Sequence, residues 1–315
     1  MKKKILSALI AGLAFAGCDE PKPVTLRKPT ATETAMASKP KPQAEAVKPV
    51  DAGQLTQAEP TPETPKDPLA VEHDQPKVDH LARAHELKGL GDFNGALTEA
   101  RRALFTDGTD EDALGFIAKI APRTGQHGLA AEAYGRLAEL HTDDAVPLIA
   151  QTRALISARA YVAAMRVGRE AVALDAQNVE GWHALGRAHL SNGDLQSAIV
   201  AFEKAVEIDP KHGYALNNLG LAYLRANENA AAAQVLERAV ELLPHVAYVQ
   251  NNLGVAYERL GHVEEAKAAY DQATVLSPKY VKARVNSDRV AKVQLDSEYE
   301  PLPDDVNAVP ETTTP

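Results

Sequence analysis

The sequence predicts an all-α fold in which one helix–turn–helix unit is repeated six times and stacked into a solenoid. Alanine recurs every 34 positions without a slip, at residues 96, 130, 164, 198, 232 and 266. Small residues recur at the eighth position of the same units, and glycine occupies the fifteenth position of most of them. A fixed period marks a repeat architecture, and small side chains are needed where two antiparallel helices cross.

The last three units carry residues that resemble the tetratricopeptide repeat (TPR) at nearly every diagnostic position. These residues are Trp182, Leu185, Gly186, Ala198, Phe202, Ala205, Pro210, Leu219, Gly220, Tyr223, Ala232, Ala239, Pro244, Leu253, Gly254, Tyr257, Ala266, Tyr270, Ala273 and Pro278. Each proline follows a second helix and ends it, because proline cannot donate a backbone hydrogen bond. The resemblance implies a right-handed α-solenoid with a concave face formed by the first helices.

The period also predicts where each unit begins and ends. The six units lie at 77–110, 111–144, 145–178, 179–212, 213–246 and 247–280. The first three lack the closing proline, and Pro122 predicts that the first helix of the second unit ends early or kinks. A final polar first helix at 281–295 is expected to cap the stack, as solenoids require.

The amino-terminal residues resemble a bacterial lipoprotein signal. Three lysines precede an apolar run from Ile5 to Phe15, and Cys18, the single cysteine, follows. The resemblance implies a signal peptide at 1–17 and an acylated Cys18 that tethers the protein to the cell envelope, facing the periplasm. The run is shorter than the roughly 20 apolar residues that span a bilayer, so an uncleaved anchor is less favoured, and a plain secretory signal is the main alternative. Inner and outer membranes are both left open.

Two segments outside the repeats are predicted to be disordered. Residues 18–76 are rich in proline and nearly free of large apolar side chains, which predicts a tether. Residues 296–315 are acidic, contain no Lys or Arg, and form a predicted tail on a chain of net charge −9. One hypothesis is that this tail competes with a ligand for the concave face.

The concave face is where a ligand is expected, at positions two, five, six, nine, twelve and thirteen of the first helices. These positions hold seven Lys or Arg against three acids in the six units. Arginine can bind carboxylates through paired hydrogen bonds, and an Asn amide can donate to and accept from a peptide backbone. The candidate partner-binding residues are Lys119, Arg153, Arg187, Asn218, Arg225, Asn252, Arg259, Asn286 and Arg289.

The asparagines recur at position six, and their row resembles the asparagine ladder of O-GlcNAc transferase repeats. A structural role is the alternative, because Lys and Arg favour helices and Asn can satisfy a neighbouring turn. A chaperone-type carboxylate clamp does not fit, since its positions hold His183, Arg187, Tyr248 and Asn252, and only Asn218 matches.

Catalysis is not expected from this sequence. It has no glycine-rich phosphate loop and no recognisable nucleophile–base arrangement. Ten histidines are scattered, none paired at the i, i+4 spacing of a helical zinc site, so no metal or other cofactor is predicted. His189 and Trp182 fall on packing positions. The acidic balance and the predicted export argue against nucleic acid as a partner.

The sequence therefore predicts a membrane-anchored adaptor that binds an extended, acidic segment of an envelope protein and assists assembly of an envelope complex. Its signal and repeat number resemble the lipid-anchored pilotins of type IV pilus secretins. The alternative is a non-catalytic subunit that recruits or restrains an envelope enzyme such as a peptidoglycan hydrolase. The identity of the partner and the oligomeric state stay open.

Overall fold

The structure is a computed structural model that describes residues 67–74 and 78–292. Those residues form thirteen α-helices and one short 3₁₀ helix, with no strand among them, which confirms the predicted all-α fold. In chain order the helices are α1 (His80–Gly89), α2 (Phe93–Thr106), α3 (Glu111–Ile120), α4 (His127–Leu140), α5 (Ala145–Ser157), α6 (Tyr161–Leu174), α7 (Val179–Asn192), α8 (Leu195–Ile208), α9 (Gly213–Arg225), α10 (Asn229–Leu242), α11 (Ala247–Arg259), α12 (Val263–Leu276) and α13 (Val281–Val290).

Each predicted unit contains one pair of helices, and consecutive pairs stack. The two helices of a pair contact each other, and each second helix also contacts the first helix of the following unit. The alanine that recurs every 34 residues is fully buried in all six units, at this contact between helices. Within the described ranges, none of the helices combines the length and apolar character needed to cross a bilayer.

Glycine at position eight allows the closest helix contacts in the last three units. A Cβ atom on Gly186 would lie 2.6 Å from the Phe202 ring, and one on Gly254 would lie 2.6 Å from the Tyr270 ring. Both rings are fully buried. The absence of a side chain on the first helix therefore lets a large side chain of the second helix pack directly on its backbone.

Position fifteen joins the two helices of a unit through a residue with left-handed backbone. Four units use glycine there, with φ between 76° and 84°. The third and fifth units use Arg159 and Asn227 instead, each at φ 60°. The same turn therefore forms in all six units, although only glycine adopts it without a steric penalty.

Proline acts as predicted in the second unit. Helix α3 ends at Ile120, and a 3₁₀ helix, Ala121–Thr124, follows with Pro122 near its start. Proline fits this position because the first residues of a helix need no backbone donor. The capping helix is shorter than predicted: α13 ends at Val290 and a turn follows, while residues 293–295 lie outside the described part of the chain.

The predicted tether needs one correction, because residues 67–74 pack against the first two units. Leu69 is fully buried, and Asp67 forms an ion pair with Arg136 of the second unit. The backbone N–H of Val71 donates to the carbonyl oxygen of Arg101 at 2.9 Å. One buried leucine and a few polar contacts attach this segment to the array. The sequence does not predict the attachment, because the residues around Leu69 are rich in proline and resemble a linker.

The remaining terminal predictions lie outside the described residues. The signal at 1–17, Cys18, most of the tether and the acidic tail fall within residues 1–66, 75–77 and 293–315. They stay predictions from the sequence.

The contact at position eight predicts opposite effects for one substitution at two sites. Gly254→Ala should lower the free energy of unfolding by about 1–3 kcal/mol, because the new methyl group overlaps the Tyr270 ring. Gly115→Ala is the control, since a Cβ there meets no atom within 4 Å. It should raise stability by about 0.5–1 kcal/mol through helix propensity. Urea unfolding measures both changes, and equal effects would contradict the packing described.

Candidate functional site

The first helices of the later units form one continuous surface. Helix α5 contacts α7, α7 contacts α9, α9 contacts α11, and α11 contacts α13. Side chains at equivalent positions of these helices therefore lie in rows, one unit apart. Most of the predicted partner-binding residues lie in these rows.

The asparagines of position six hydrogen-bond to position five of the preceding unit. Asn252 Nδ2 donates to Asn217 Oδ1 at 3.0 Å, and Asn286 Nδ2 donates to Asn251 Oδ1 at 3.0 Å. Asn218 Nδ2 lies 2.9 Å from Nε2 of His183, which holds the same position in the fourth unit. All three contacts join residues 35 positions apart. We call this row the amide seam; it comprises His183, Asn217, Asn218, Asn251, Asn252 and Asn286.

The amide seam connects the first helices to one another. Asn252 is 6% exposed and Asn286 is 4% exposed, so their amides meet the neighbouring helix more than solvent. Buried amides need such partners, because an unpaired one costs about 1–3 kcal/mol. The structure thus gives these residues a structural role. Their binding of a peptide backbone stays a prediction, and their burial does not support it.

The donors of the seam, Asn218, Asn252 and Asn286, are among the predicted residues, whereas its acceptors are not. Asn217 and Asn251 recur at position five with the same 34-residue spacing, which was the available signal. They were missed because the relative rotation of neighbouring first helices decides which positions meet, and the period alone does not give that rotation.

Two arginines of position thirteen cap the preceding first helix. Arg225 Nη1 donates to the carbonyl oxygen of Leu190 at 3.2 Å, and Arg259 Nη1 donates to that of Leu224 at 2.6 Å. Both carbonyls lie in the last turn of a helix, where the macrodipole favours a cation. These guanidinium groups therefore contribute to stacking.

Arg289 binds the fully buried carboxylate of Glu258. Its Nη2 donates to Glu258 Oε2 at 2.7 Å, its Nη1 contacts Oε1, and the Tyr270 hydroxyl donates to Oε2 at 2.6 Å. The hydrogen bonds that Arg289 donates to Glu258 raise the pKa of Arg289, which keeps its cation in place. Because a buried carboxylate needs full compensation, this pair fastens α13 onto the sixth unit.

Three cations at the first-helix positions of units one and two are exposed, and two of them lie beside aromatic rings. The Lys88 ammonium lies 5.8 Å from the centroid of the Phe116 ring, and the Arg123 guanidinium lies 5.0 Å from that of Phe93. Lys88, Lys119 and Arg123 are all exposed. We call these three residues the early cationic surface. Of the remaining predicted residues, Arg153 and Arg187 are partly buried.

Arg153 belongs to a polar cluster between the third, fourth and fifth units. It forms an ion pair with Glu180 of α7. Glu180 Oε2 lies 3.6 Å from Nδ1 of His183, and Oε1 lies 3.1 Å from Nε2 of His212. The junction cluster consists of Arg153, Glu180, His183 and His212.

The charges of the junction cluster are set by these contacts. The imidazoles of His183 and His212, followed by Arg153, hold the pKa of the Glu180 carboxyl well below its usual range. The hydrogen bond to Glu180 raises the pKa of His212. Burial lowers the pKa of His183, so its imidazole favours the neutral form.

The i, i+4 spacing of a helical zinc site gives no signal for the junction cluster, because its residues do not all lie on one helix. His212 precedes α9 and is 32 residues from Glu180, and the stacking of units brings the two together. His189 and Trp182 instead have structural partners: His189 Nδ1 lies 2.9 Å from Asp194 Oδ2, and Trp182 Nε1 donates to the Ala176 carbonyl at 2.9 Å.

Residues 163–284 match the family model of the cytochrome c-type biogenesis protein H TPR domain. The crystal structure of the APC/C hetero-tetramer Cut9–Hcn1 is similar with a TM-score of 0.53 and 20% identity, over 67% of this chain and 42% of that chain. The structure of Pseudomonas aeruginosa pilF is similar with a TM-score of 0.51 and 18% identity, over 67% of this chain and 96% of that chain.

YrrB, a TPR protein with an unusual peptide-binding site, gives a TM-score of 0.46 at 18% identity over 60% of this chain and 97% of that chain. No curated protein matches the sequence. The family model describes a TPR domain over residues 163–284, and the Cut9–Hcn1 and pilF structures share the fold of the helical array.

The amide seam predicts a clear response to loss of one partner. Asn252→Ala should cost about 1–3 kcal/mol of stability, because the buried Asn217 oxygen loses its donor. The double variant Asn217→Leu, Asn252→Leu should cost less than that single change, since both partners of the buried bond are removed together and only the partly buried Asn218 Oδ1 loses a donor. Asn94→Ala on the exposed surface of α2 is the control and should change stability by no more than about 0.5 kcal/mol. Equal costs for Asn252→Ala and Asn94→Ala would rule out a structural seam.

Proposed function

We propose that this TPR protein is a membrane-anchored adaptor that binds an extended, acidic segment of a cell-envelope protein and assists assembly of an envelope complex. The observation that carries the proposal is the early cationic surface, in which exposed cations lie beside aromatic rings on a protein of net charge −9. Acidic side chains of a ligand would pair with the cations, and an apolar group could pack on the Phe93 ring, which is half-buried, whereas the Phe116 ring is buried.

The early units suit a ligand better than the later ones. In the later units the predicted residues Asn252, Asn286, Arg259 and Arg289 already bond to neighbouring helices. A ligand that bound to these side chains would have to break their hydrogen bonds to the neighbouring helices, so the number of hydrogen bonds would not increase. Lys119 is exposed, so a carboxylate can reach it without breaking an ion pair inside the array.

Arg153 extends the early cationic surface towards the fourth unit. About 42% of its side chain is exposed, although it contacts Glu180. A ligand carboxylate could share its guanidinium, which has five donors and can serve two acceptors. We therefore place the ligand along the first three units, with its far end at Arg153.

An assembly role is supported by the family to which the later units are similar. The matching model describes the TPR domain of a cytochrome c-type biogenesis protein. The lipoprotein signal adds the envelope location to the proposal. A pilotin-like role is one form of such an adaptor, and it rests on the signal and the number of repeats.

Site-specific crosslinking in intact cells tests the adaptor proposal. A photoreactive residue in place of Lys119 should capture subunits of an envelope assembly machine, identified by mass spectrometry. The same residue in place of Lys204, an exposed cation on the second helix α8, is the matched control and should not capture them. Capture of peptidoglycan hydrolases at Lys119 would instead favour the recruiting or restraining subunit.

The early cationic surface predicts how partner affinity responds to charge removal. Lys88→Ala with Lys119→Ala should weaken binding of the captured partner by about 1–3 kcal/mol and reduce its salt dependence, because charge-assisted contacts are lost. Arg166→Ala with Lys204→Ala removes two exposed cations from second helices and should leave affinity unchanged. Calorimetry measures both. An equal loss in the two double variants would indicate attraction by overall charge alone.

The proposed anchor predicts a change in location. Cys18→Ser should abolish metabolic labelling with palmitate and move the protein from the membrane fraction to the soluble fraction, since two or more acyl chains provide stable anchoring. Retention of the variant in membranes would contradict lipid anchoring at Cys18.

A further inference from the structure

We propose that Glu180, His183 and His212 form a binding site for a divalent transition-metal ion of the zinc class, at the junction between the fourth and fifth units. Glu180 and His183 lie one turn apart on α7, and His212 is the residue that caps the start of α9. An ion held by all three would link two consecutive units directly.

The ligand atoms are close to the spacing that such an ion requires. Glu180 Oε1 lies 3.1 Å from His212 Nε2, Glu180 Oε2 lies 3.6 Å from His183 Nδ1, and the three groups present ligand atoms within 4.8 Å of one another. Tetrahedral zinc with bonds of about 2.0–2.1 Å holds its ligands roughly 3.3 Å apart. Small side-chain rotations are therefore enough to close the site.

A second observation points to a ligand at the same place. His183 Nδ1 is buried and has no hydrogen-bond partner among residues 67–74 and 78–292, and only 10% of the His183 side chain is exposed. A buried nitrogen without a partner is costly, and a metal ion would satisfy it. The other nitrogen, Nε2, lies 2.9 Å from the amide of Asn218. With the amide turned over, Asn218 would accept the Nε2 proton, as the outer partner of a metal-bound histidine does, and would give up the hydrogen bond that its Oδ1 accepts from Asn217 Nδ2 at 3.2 Å.

Two contacts compete with the ion and limit its affinity. Arg153 occupies one side of Glu180, and it must move aside for a cation to bind. His212 Nδ1 accepts the backbone N–H of Ala215 at 3.0 Å. Coordination through Nε2 places the proton on Nδ1, so this capping bond is lost. Both groups can adjust, because Arg153 is long and partly exposed and His212 lies at a helix terminus.

The chemistry of the ligands selects the class of metal. Two imidazoles and one carboxylate suit Zn²⁺, Co²⁺ or Ni²⁺, whereas Ca²⁺ and Mg²⁺ prefer oxygen ligands alone. Half of the Glu180 side chain is exposed, so solvent can reach the ion and supply a water ligand. The site is thus expected to bind reversibly.

Metal titration of the full chain tests the site. Wild-type protein should bind one Zn²⁺ or Co²⁺ ion that Glu180→Gln and His212→Asn each weaken at least tenfold, measured by calorimetry and by Co²⁺ d–d absorption. Both variants are expected to fold, because Asn is a good N-cap residue at position 212 and Gln has the same shape as Glu at position 180. If only one of them folds, that variant alone still tests the site. His141→Gln is the matched control. His141 is part of a different histidine–glutamate pair, in which its Nε2 lies 2.8 Å from Glu111 Oε2. The His141→Gln variant should bind Zn²⁺ with the affinity of the wild-type protein.

A third variant tests the placement of the ion. Arg153→Gln removes the competing cation and should tighten Zn²⁺ binding, while Mg²⁺ should not bind at the site in any variant. The proposal is overturned if Glu180→Gln and His212→Asn bind Zn²⁺ as tightly as wild type, or if Arg153→Gln gives no increase in affinity.

Discussion

The whole stack depends on the close contact between the two helices of each unit at position eight. In the last three units a glycine lies directly against a large buried side chain, Phe202, Leu236 or Tyr270. Earlier units use small or compact residues at the same position, including Thr152, whose hydroxyl donates to the Leu148 carbonyl within its own helix. Because each pair of helices is held at nearly the same distance, each unit presents its first helix to the next in nearly the same way. Contacts between units can then recur with the period of the sequence.

The amide seam is the main result of that regularity. Once first helices repeat their placement, one pair of positions meets at every junction, and polar side chains at those positions can form a continuous series of hydrogen bonds. The seam joins the fourth, fifth and sixth units and α13, whereas the first units carry apolar or small residues at position five. This difference divides the array by role. The later first helices use their polar groups to hold the stack together, and the early ones carry exposed cations.

The sequence predicts the fold well because its information is local and periodic. The alanines, the position-fifteen turns and Pro122 determine helices and their ends through backbone sterics, which act within a few residues. The site is predicted less well, because its chemistry depends on which side chains meet across a junction. Asn218, Asn252 and Asn286 were identified, but their partners depend on helix rotation. His212 joins Glu180 only through stacking, and Leu69 belongs to the core although its neighbours resemble a linker.

The inter-unit hydrogen bonds of the amide seam all run the same way along the array, from a later unit to the one before it, so the seam stops at the carboxyl-terminal helix. Every one of its bonds between units links an amide of a later unit to position five of the unit before it. In α13 position five is Val285, which is 54% exposed and offers no side-chain acceptor. A second molecule placed end to end on α13 would bring its own position six, Ala82, against this valine, so neither side would offer a hydrogen-bonding group. Growth into filaments, a hazard for any protein built from identical stacking units, therefore lacks its hydrogen bond at the carboxyl-terminal face.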